Sequence, residues 1–380
     1  VYELYTASDS SGYLISSIPS NGSTNSLPKL SKEGDSDIYA NFGTSYITSS
    51  TQHFTIISPS NANPPAVAKL GVIFENAFTI NHEGLQMPLL DDDRIINILD
   101  SDYDSDQPLS YSGKSKITNY NIPLDAVNNE QYYKIQVAAQ VYLFYRSCDY
   151  NLHWLTAAIQ YWLIDLVSDD PDYKYPTTTF LENGMEPFNG FGLKKGQNIK
   201  DHAVGISGVI KYLTSLENFG LKGIGNLYKN NAGDDKATLL LNNSGSQISQ
   251  WYPKFFEKYI KGEIYDLPIN YFLENTQHEW NINGQDDNLK IFESSNFLIK
   301  NYPDLSAKLF KINLNYPDID ASQNMLLSVK GPVTELGLSL VVFGIQNGNA
   351  IHLGTVDAQD FEIANLIAYY DNDMRQFLVC

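Results

Sequence analysis

Cysteine and basic residues are both scarce in this sequence. Only two cysteines occur among its 380 residues, which excludes a scaffold held together by many disulfides. Cys148 and Cys380 can form at most one intramolecular bond, and their spacing leaves open whether they pair. Lysine and arginine number 25 against 44 aspartates and glutamates, for a formal net charge of −19. That excess of negative charge argues against nucleic acid or an anionic membrane surface as a partner.

Long apolar runs are also missing. No stretch reaches the roughly 18 to 20 apolar residues of a membrane span, so we expect no membrane span. The hydrophobic content is nevertheless 43%, with 26 tyrosines, which favours a folded chain over a disordered one. The length allows two or three domains, each with a core of its own.

The first residue and the composition both bear on location. The chain opens on Val1 rather than methionine, so we expect a mature protein after removal of a signal peptide, with an edited chain as the alternative. The low lysine and arginine count and the many Asn, Ser and Tyr residues suit an extracellular surface. The expected localisation is therefore extracellular or at the cell surface.

Two apolar stretches in the middle of the chain carry the most informative motif. Residues 140–144 read Gln-Val-Tyr-Leu-Phe, and residues 154–165 read Trp-Leu-Thr-Ala-Ala-Ile-Gln-Tyr-Trp-Leu-Ile-Asp. They resemble the core of secreted gluzincin-type zinc metallopeptidases of bacteria and archaea. In that family a helix with His-Glu-x-x-His precedes a segment reading roughly Trp-Leu-Thr-Glu-Ala-x-Ala-x-Trp-x-x-Asp. The resemblance implies two helices, at 129–147 and 153–168.

The resemblance also implies that the catalytic chemistry has been lost. Position by position, Gln140 and Phe144 stand where the family has its two histidines, and Val141 where it has the catalytic glutamate. Ala157 replaces the glutamate expected as the third ligand. Catalytic zinc needs three protein ligands, an open position for water and a nearby base. We therefore expect a degenerate, catalytically dead relative with no zinc and no enzymatic activity.

The same resemblance marks His202 as the one polar residue left near the former cleft. Residues 202–205 read His-Ala-Val-Gly, like a family segment His-x-Tyr-Gly. A structural histidine is the alternative to a chemical role. Asp201 is expected to be the N-cap of the helix that contains it, and Gly220 is expected to end that helix.

An acidic segment is a candidate calcium site. Aspartates alternate with other residues from position 100 to position 106, at Asp100, Asp102, Asp104 and Asp106. Hard cations such as calcium take six to eight oxygen ligands, and alternating aspartates can supply several of them. The glycine and the distal glutamate of an EF-hand are missing, so that motif is excluded. Calcium and a solvated acidic turn both remain open, and calcium is the sole candidate cofactor.

The secondary-structure patterns predict an α+β protein in three parts. Residues 1–50 are polar and read as an extended N-terminal arm. Residues 51–266 are expected to form a mainly helical domain, metallopeptidase-like by the resemblance above, in which Pro64 opens a helix that stops at Gly84. Residues 251–265 are amphipathic but interrupted by Pro253. Residues 267–380 alternate in short apolar runs and predict an Ig-like β-sandwich, a domain that the same peptidases commonly carry.

These observations favour a non-catalytic extracellular structural protein. It would assemble with copies of itself or with other surface components, as a filament or surface-layer subunit, with the N-terminal arm adding a strand to a neighbour's sheet. The first alternative is an adhesin or capture protein that uses the former cleft. The second is a peptidase with an unrecognised site.

Overall fold

The structure is a computed structural model that describes eleven stretches of the chain. They are residues 46–100, 109–148 except 115, 153–167, 199–229, 248–265, 268–283 except 275 and 277, 307–315 except 308, 327–330, 339–356, 360–363 and 374–380. These stretches contain both helices and strands, which confirms the α+β class. Within them no helix combines the length and the apolar character needed to cross a bilayer.

The chain divides into two compact units. The first is Val1–Asp149 with Leu163–Asp169, and the second is Tyr150–Trp162 with Asp170–Cys380. The chain passes from one unit to the other at residues 149–150, 162–163 and 169–170. The domain boundary at 266–267 stays a prediction. Among the described residues, the second unit contains four complete helices and part of a fifth, together with the C-terminal strands.

A five-stranded mixed sheet forms the centre of the first unit. Its strands are β1 (Tyr46–Ser50), β2 (Thr55–Pro59), β3 (Asp93–Leu99), β4 (Ser110–Lys114) and β5 (Ile117–Pro123), in the order β1-β2-β3-β5-β4. The three middle strands are parallel, and the two outer strands pair antiparallel. Because β1 pairs along its whole length with β2, residues 46–50 belong to this sheet and not to an extended arm.

Among the described residues, three helices lie wholly in the first unit, and the longest starts where the sequence indicates. They are α1 (Pro64–Thr79), α2 (Leu124–Asn128) and α3 (Tyr132–Arg146). Prolines occupy the first two positions of α1, where the missing N–H is not needed. A π-helical turn at Ile80–Gly84 prolongs α1 as far as the predicted Gly84.

Aromatic rings hold the core of the first unit together. Phe54, Phe74 and Tyr120 are almost fully buried. Their ring centroids lie 5.1 to 6.1 Å apart, in edge-to-face geometry. Such pairs add about 0.5–1.5 kcal/mol each beyond the area they bury. They fix α1 against the parallel strands of the sheet.

The remaining helices correct three details of the sequence prediction. They are α4 (His153–Val167), α5 (Ile199–Ser215), α6 (Lys222–Lys229), α7 (Ile248–Ile260) and α8 (Ile269–Glu274). Asp201 is not the N-cap of α5, because the helix already starts at Ile199. The helix ends at Ser215, and Gly220 takes a positive φ of 55° in the turn that follows. Pro253 lies inside α7 without interrupting it.

The C-terminal strands form two sheets in the described residues. They are β6 (His278–Asn283), β7 (Phe310–Asn315), β8 (Leu327–Lys330), β9 (Leu340–Gln346), β10 (Asn349–Val356), β11 (Asp360–Ile363) and β12 (Gln376–Val379). Five of them pair in the order β10-β9-β12-β7-β6, and β8 pairs with β11. The β6–β7 pair is parallel, which departs from the antiparallel sheets of an Ig-like sandwich.

Candidate functional site

Helix α3 carries three of the four residues that the sequence comparison singled out, Gln140, Val141 and Phe144, and it presents two of them to the core. The side chain of Phe144 is 0% exposed and that of Gln140 is 1% exposed. They share the buried face with Ile135, Ala139 and Leu143, at helical spacing. Gln140 and Phe144 therefore lie on the buried face of α3.

The side chains of Gln140, Val141, Phe144 and Ala157 do not fit a zinc ion. Val141 and Ala157 are half-buried, and Val, Phe and Ala side chains offer no lone pair for a metal. A Gln amide oxygen is a poor zinc ligand, so this set contains neither three ligands nor a base. Among the described residues, no group of three His, Cys, Asp or Glu side chains could hold a metal ion.

Gln140 is an unusual core residue because its amide has no partner. Neither Oε1 nor Nε2 makes a hydrogen bond within the part of the chain that the structure describes. A buried amide without a partner costs about 1–3 kcal/mol. The residue therefore weakens the core in which it lies.

The other candidate residues lie partly outside the described stretches. His202 belongs to α5, but its side chain is outside the described residues. Asp100 is exposed at the end of β3, and Asp102, Asp104 and Asp106 are not described. The calcium site therefore stays a prediction.

Both cysteines are buried thiols, and no disulfide joins them in the structure. The Cys148 Sγ lies 3.1 Å from the Phe144 carbonyl oxygen, to which its S–H donates. Burial raises the pKa of the Cys380 thiol well above its ordinary value. A thiol with a raised pKa is a weak nucleophile at neutral pH, because little thiolate is present.

A buried carboxylate that holds a histidine was not anticipated from the sequence. Glu75 lies on α1 and its side chain is 4% exposed. Its Oε2 is 2.6 Å from the His53 Nδ1, and its Oε1 accepts from the His53 backbone N–H at 2.8 Å. The Thr51 hydroxyl also donates to Oε1, at 2.5 Å. Three donors thus satisfy Glu75 and fix the His53 ring with its Nδ1 bearing the hydrogen.

A second histidine packs against the same aromatic ring. The centroid of His53 lies 3.9 Å from that of Phe78, and the centroid of His82 lies 4.3 Å from it. The His82 Nδ1 is 3.2 Å from the Met87 carbonyl oxygen, and so Nδ1 carries the hydrogen. Burial lowers the pKa of His82, an effect that the bond to Met87 opposes. His82 is therefore neutral at neutral pH.

An ion network lies in the same unit. The Asp92 carboxylate, 2% exposed, is 3.0 Å from the Arg94 Nη2 and 3.7 Å from the Arg146 Nε. The Thr118 hydroxyl donates to Asp92 Oδ2 at 2.5 Å, and Arg146 Nε donates to Thr118 Oγ1 at 3.2 Å. These contacts tie α3 to the sheet, because Arg146 ends α3 and Thr118 lies on β5. These contacts neutralise the buried charge of Asp92, which is a structural role and not a catalytic one.

The His53–Glu75 pair has two components of an acid–base device but no described nucleophile beside it. A carboxylate that orients a histidine is also the arrangement around a catalytic base. The polar contacts of His53 both go to Glu75, and its ring stacks on Phe78. One sequence signal could have indicated this pair. Glu75 interrupts the apolar face of α1, and a buried carboxylate needs hydrogen-bond donors.

No family model matches this chain, and no curated protein matches it either. The resemblance to zinc metallopeptidases therefore stays a prediction from the residues quoted above.

Proposed function

We propose that the protein is a non-catalytic structural protein of the extracellular or cell-surface space, which self-assembles on a scaffold derived from a metallopeptidase. The observation that carries the proposal is the complete burial of Phe144, at a position where a zinc peptidase needs a histidine. A helix face that has become core has no access for substrate. The same burial counts against an adhesin that uses the former cleft.

Exposed apolar side chains on outer strands support self-assembly. Ile351 lies on β10, an end strand in the described order of the C-terminal sheet, and is 38% exposed. The sequence of β10, Asn349–Val356, contains no Lys, Arg, Asp or Glu. Natural edge strands usually carry charges that prevent pairing with another chain. An uncharged end strand is suited to pairing with a second copy.

The first experiment separates a scaffold from an enzyme. Purified full-length protein is assayed for bound zinc by elemental analysis and for cleavage of casein and short peptides. We expect no stoichiometric zinc and no cleavage. A zinc ion whose removal abolishes hydrolysis would overturn the proposal. Cleavage that persists with chelator but is lost in His53→Gln would instead establish the His53–Glu75 pair as catalytic.

The second experiment tests assembly. Light scattering and negative-stain microscopy would compare the full-length protein with Ile351→Lys, which places a charge on the end strand. The matched control is Leu89→Lys, because Leu89 is 64% exposed and lies outside any strand. We expect higher-order species for the parent and the control, and loss of these species in Ile351→Lys. A parent that stays monomeric at high concentration contradicts the proposal.

The N-terminal arm, residues 1–45, lies outside the described residues, and its docking on a neighbour stays a prediction. Deletion should end at residue 45, because β1 begins at Tyr46 and belongs to the first sheet. If the arm donates a strand, the truncated protein folds but remains monomeric. Equal assembly of both forms would exclude arm exchange while leaving pairing through β10 in place.

A further inference from the structure

A hollow lined by polar side chains lies at one end of the C-terminal five-stranded sheet. Its volume is about 530 Å³, and Glu279, Lys311, Asn313, Asn347, Arg375 and Gln376 are among the residues that line it. This volume is within the usual range of about 300–1,000 Å³ for ligand sites. Leu314 and Ile345 also line the hollow, but its polar residues outnumber them, which favours a polar ligand.

The strand register brings the polar side chains together on one face. Asn313 of β7 pairs with Asn281 of β6 on one side and with Gln376 of β12 on the other. Glu279 and Lys311 form the neighbouring row two residues away. Directly paired residues point to the same face of a sheet, as do residues two apart along a strand. Three strands that are distant in sequence thus build a single polar surface.

Hydrogen bonds lock this surface around Asn313, which is only 8% exposed. Its Nδ2 donates to Glu279 Oε1 at 2.6 Å and to Asn281 Oδ1 at 2.8 Å. Its Oδ1 accepts from Gln376 Nε2 at 3.0 Å. The Lys311 Nζ lies 3.2 Å from Glu279 Oε2. Because these five side chains hold one another, the groups that they present outward are already oriented before a ligand arrives.

The polar groups of the hollow that a ligand can contact include both hydrogen-bond donors and acceptors. Gln376 uses its N–H in the ladder, which leaves its Oε1 as an acceptor. Lys311 has further N–H donors beyond its ion pair with Glu279. The amide of Asn347 adds one donor group and one acceptor at the exposed β9–β10 turn.

The charge balance narrows the ligand class. The carboxylate of Glu279 offsets the ammonium of Lys311, and Arg375 adds a second cationic side chain to the lining. These two cations disfavour a bound metal ion. A sugar hydroxyl both donates and accepts, so a polyhydroxylated ligand matches the mixture of donors and acceptors. We propose that this hollow binds an oligosaccharide, through Lys311, Gln376 and Asn347, independently of any assembly role.

The test is isothermal titration calorimetry of the full-length protein with a panel of neutral probes: maltohexaose, cellohexaose, mannohexaose and chitohexaose. Inorganic phosphate is titrated separately. We expect at least one oligosaccharide to give a saturable isotherm and phosphate to give none. Failure of all four oligosaccharides to bind overturns the proposal, as does saturable phosphate binding without oligosaccharide binding.

Two variants assign the binding to the hollow. Asn347 has a positive φ of 50°, so Asn347→Gly keeps the turn while removing the amide. Lys311→Met keeps the aliphatic stem and removes the ammonium. Each should weaken binding about tenfold, the value of one hydrogen bond of about 1.4 kcal/mol. The control Lys258→Met, at an exposed position on α7, should bind as the parent does. Unchanged affinity in Asn347→Gly and in Lys311→Met would place the ligand elsewhere and overturn the assignment.

Discussion

Glu75 holds His53 at 2.6 Å, and the two residues join α1 to the segment that leads into β2. Substitution Glu75→Gln keeps the shape of the side chain but replaces one acceptor oxygen with an amide group. The new amide N–H then faces a group that donated to Glu75, so two hydrogen-bond donors meet inside the core. We expect the free energy of unfolding to fall by about 1–3 kcal/mol.

Urea denaturation measures this change. The matched control is Glu83→Gln, because Glu83 is exposed on the π-helical turn that prolongs α1. The control should change stability by less than about 0.5 kcal/mol. Equal effects of the two substitutions would mean that the contact between Glu75 and His53 contributes nothing measurable to the fold.

Replacing Gln140 with an apolar residue should stabilise the protein. The Gln140→Met substitution has nearly the same volume and removes an amide that has no partner within the described residues. We expect the free energy of unfolding to rise by about 1 kcal/mol. The same substitution at Gln136, which is half-buried on the same helix, is the control and should give a smaller gain. A loss of stability in Gln140→Met would reveal a partner for the amide.

His82 should make the stability depend on pH. Burial lowers its pKa from the ordinary value of 6.5 in the folded state, so the unfolded chain takes up a proton at higher pH than the folded chain does. The contribution of His82 is absent above pH 6.5 and becomes unfavourable as the pH falls below that value. We expect the free energy of unfolding to decrease from pH 7 to pH 5 by more in the parent than in His82→Asn.

Urea unfolding at the two pH values tests this expectation. Identical pH dependence in the parent and in His82→Asn would show that His82 titrates alike in the folded and unfolded chain.

Both cysteines should be silent towards thiol reagents until the protein unfolds. Cys148 and Cys380 are buried, and the raised pKa of the Cys380 thiol leaves little thiolate to react. Titration with a colorimetric disulfide reagent should count two thiols in guanidinium and close to none in native buffer. A reagent-silent protein that gains two thiols only after reduction would instead contain the disulfide between them.

Local patterns predicted much of the secondary structure. Pro64 and the apolar spacing that follows it located α1, because a proline at the first helical position carries no cost. Apolar runs between turn residues likewise located most of the C-terminal strands. The prediction that Asp201 is an N-cap was wrong, because the helix starts two residues earlier, at Ile199. No local rule fixes a helix start to within one or two residues.

Pairings between distant residues could not be predicted. The partners Glu75 and His53 are 22 residues apart, and nothing in the spacing fixes which donors meet a buried carboxylate. The polar hollow likewise depends on the register of β6, β7 and β12. A shift of one residue in any of these strands would turn its polar side chains to the opposite face. The sequence identified residues on the buried face of α3, but it contained no indication of the polar hollow.

The position of β12 has a consequence for synthesis. In the described sheet β7 and β9 do not pair with each other, because β12 lies between them and pairs with both. A nascent chain that ends before Gln376 therefore carries the two halves of this sheet unjoined, each with an unpaired strand edge. The five-stranded sheet can close only after residues 376–379 have been synthesised. A ribosome-stalled or prematurely terminated product would expose those edges to chaperones and to other nascent chains.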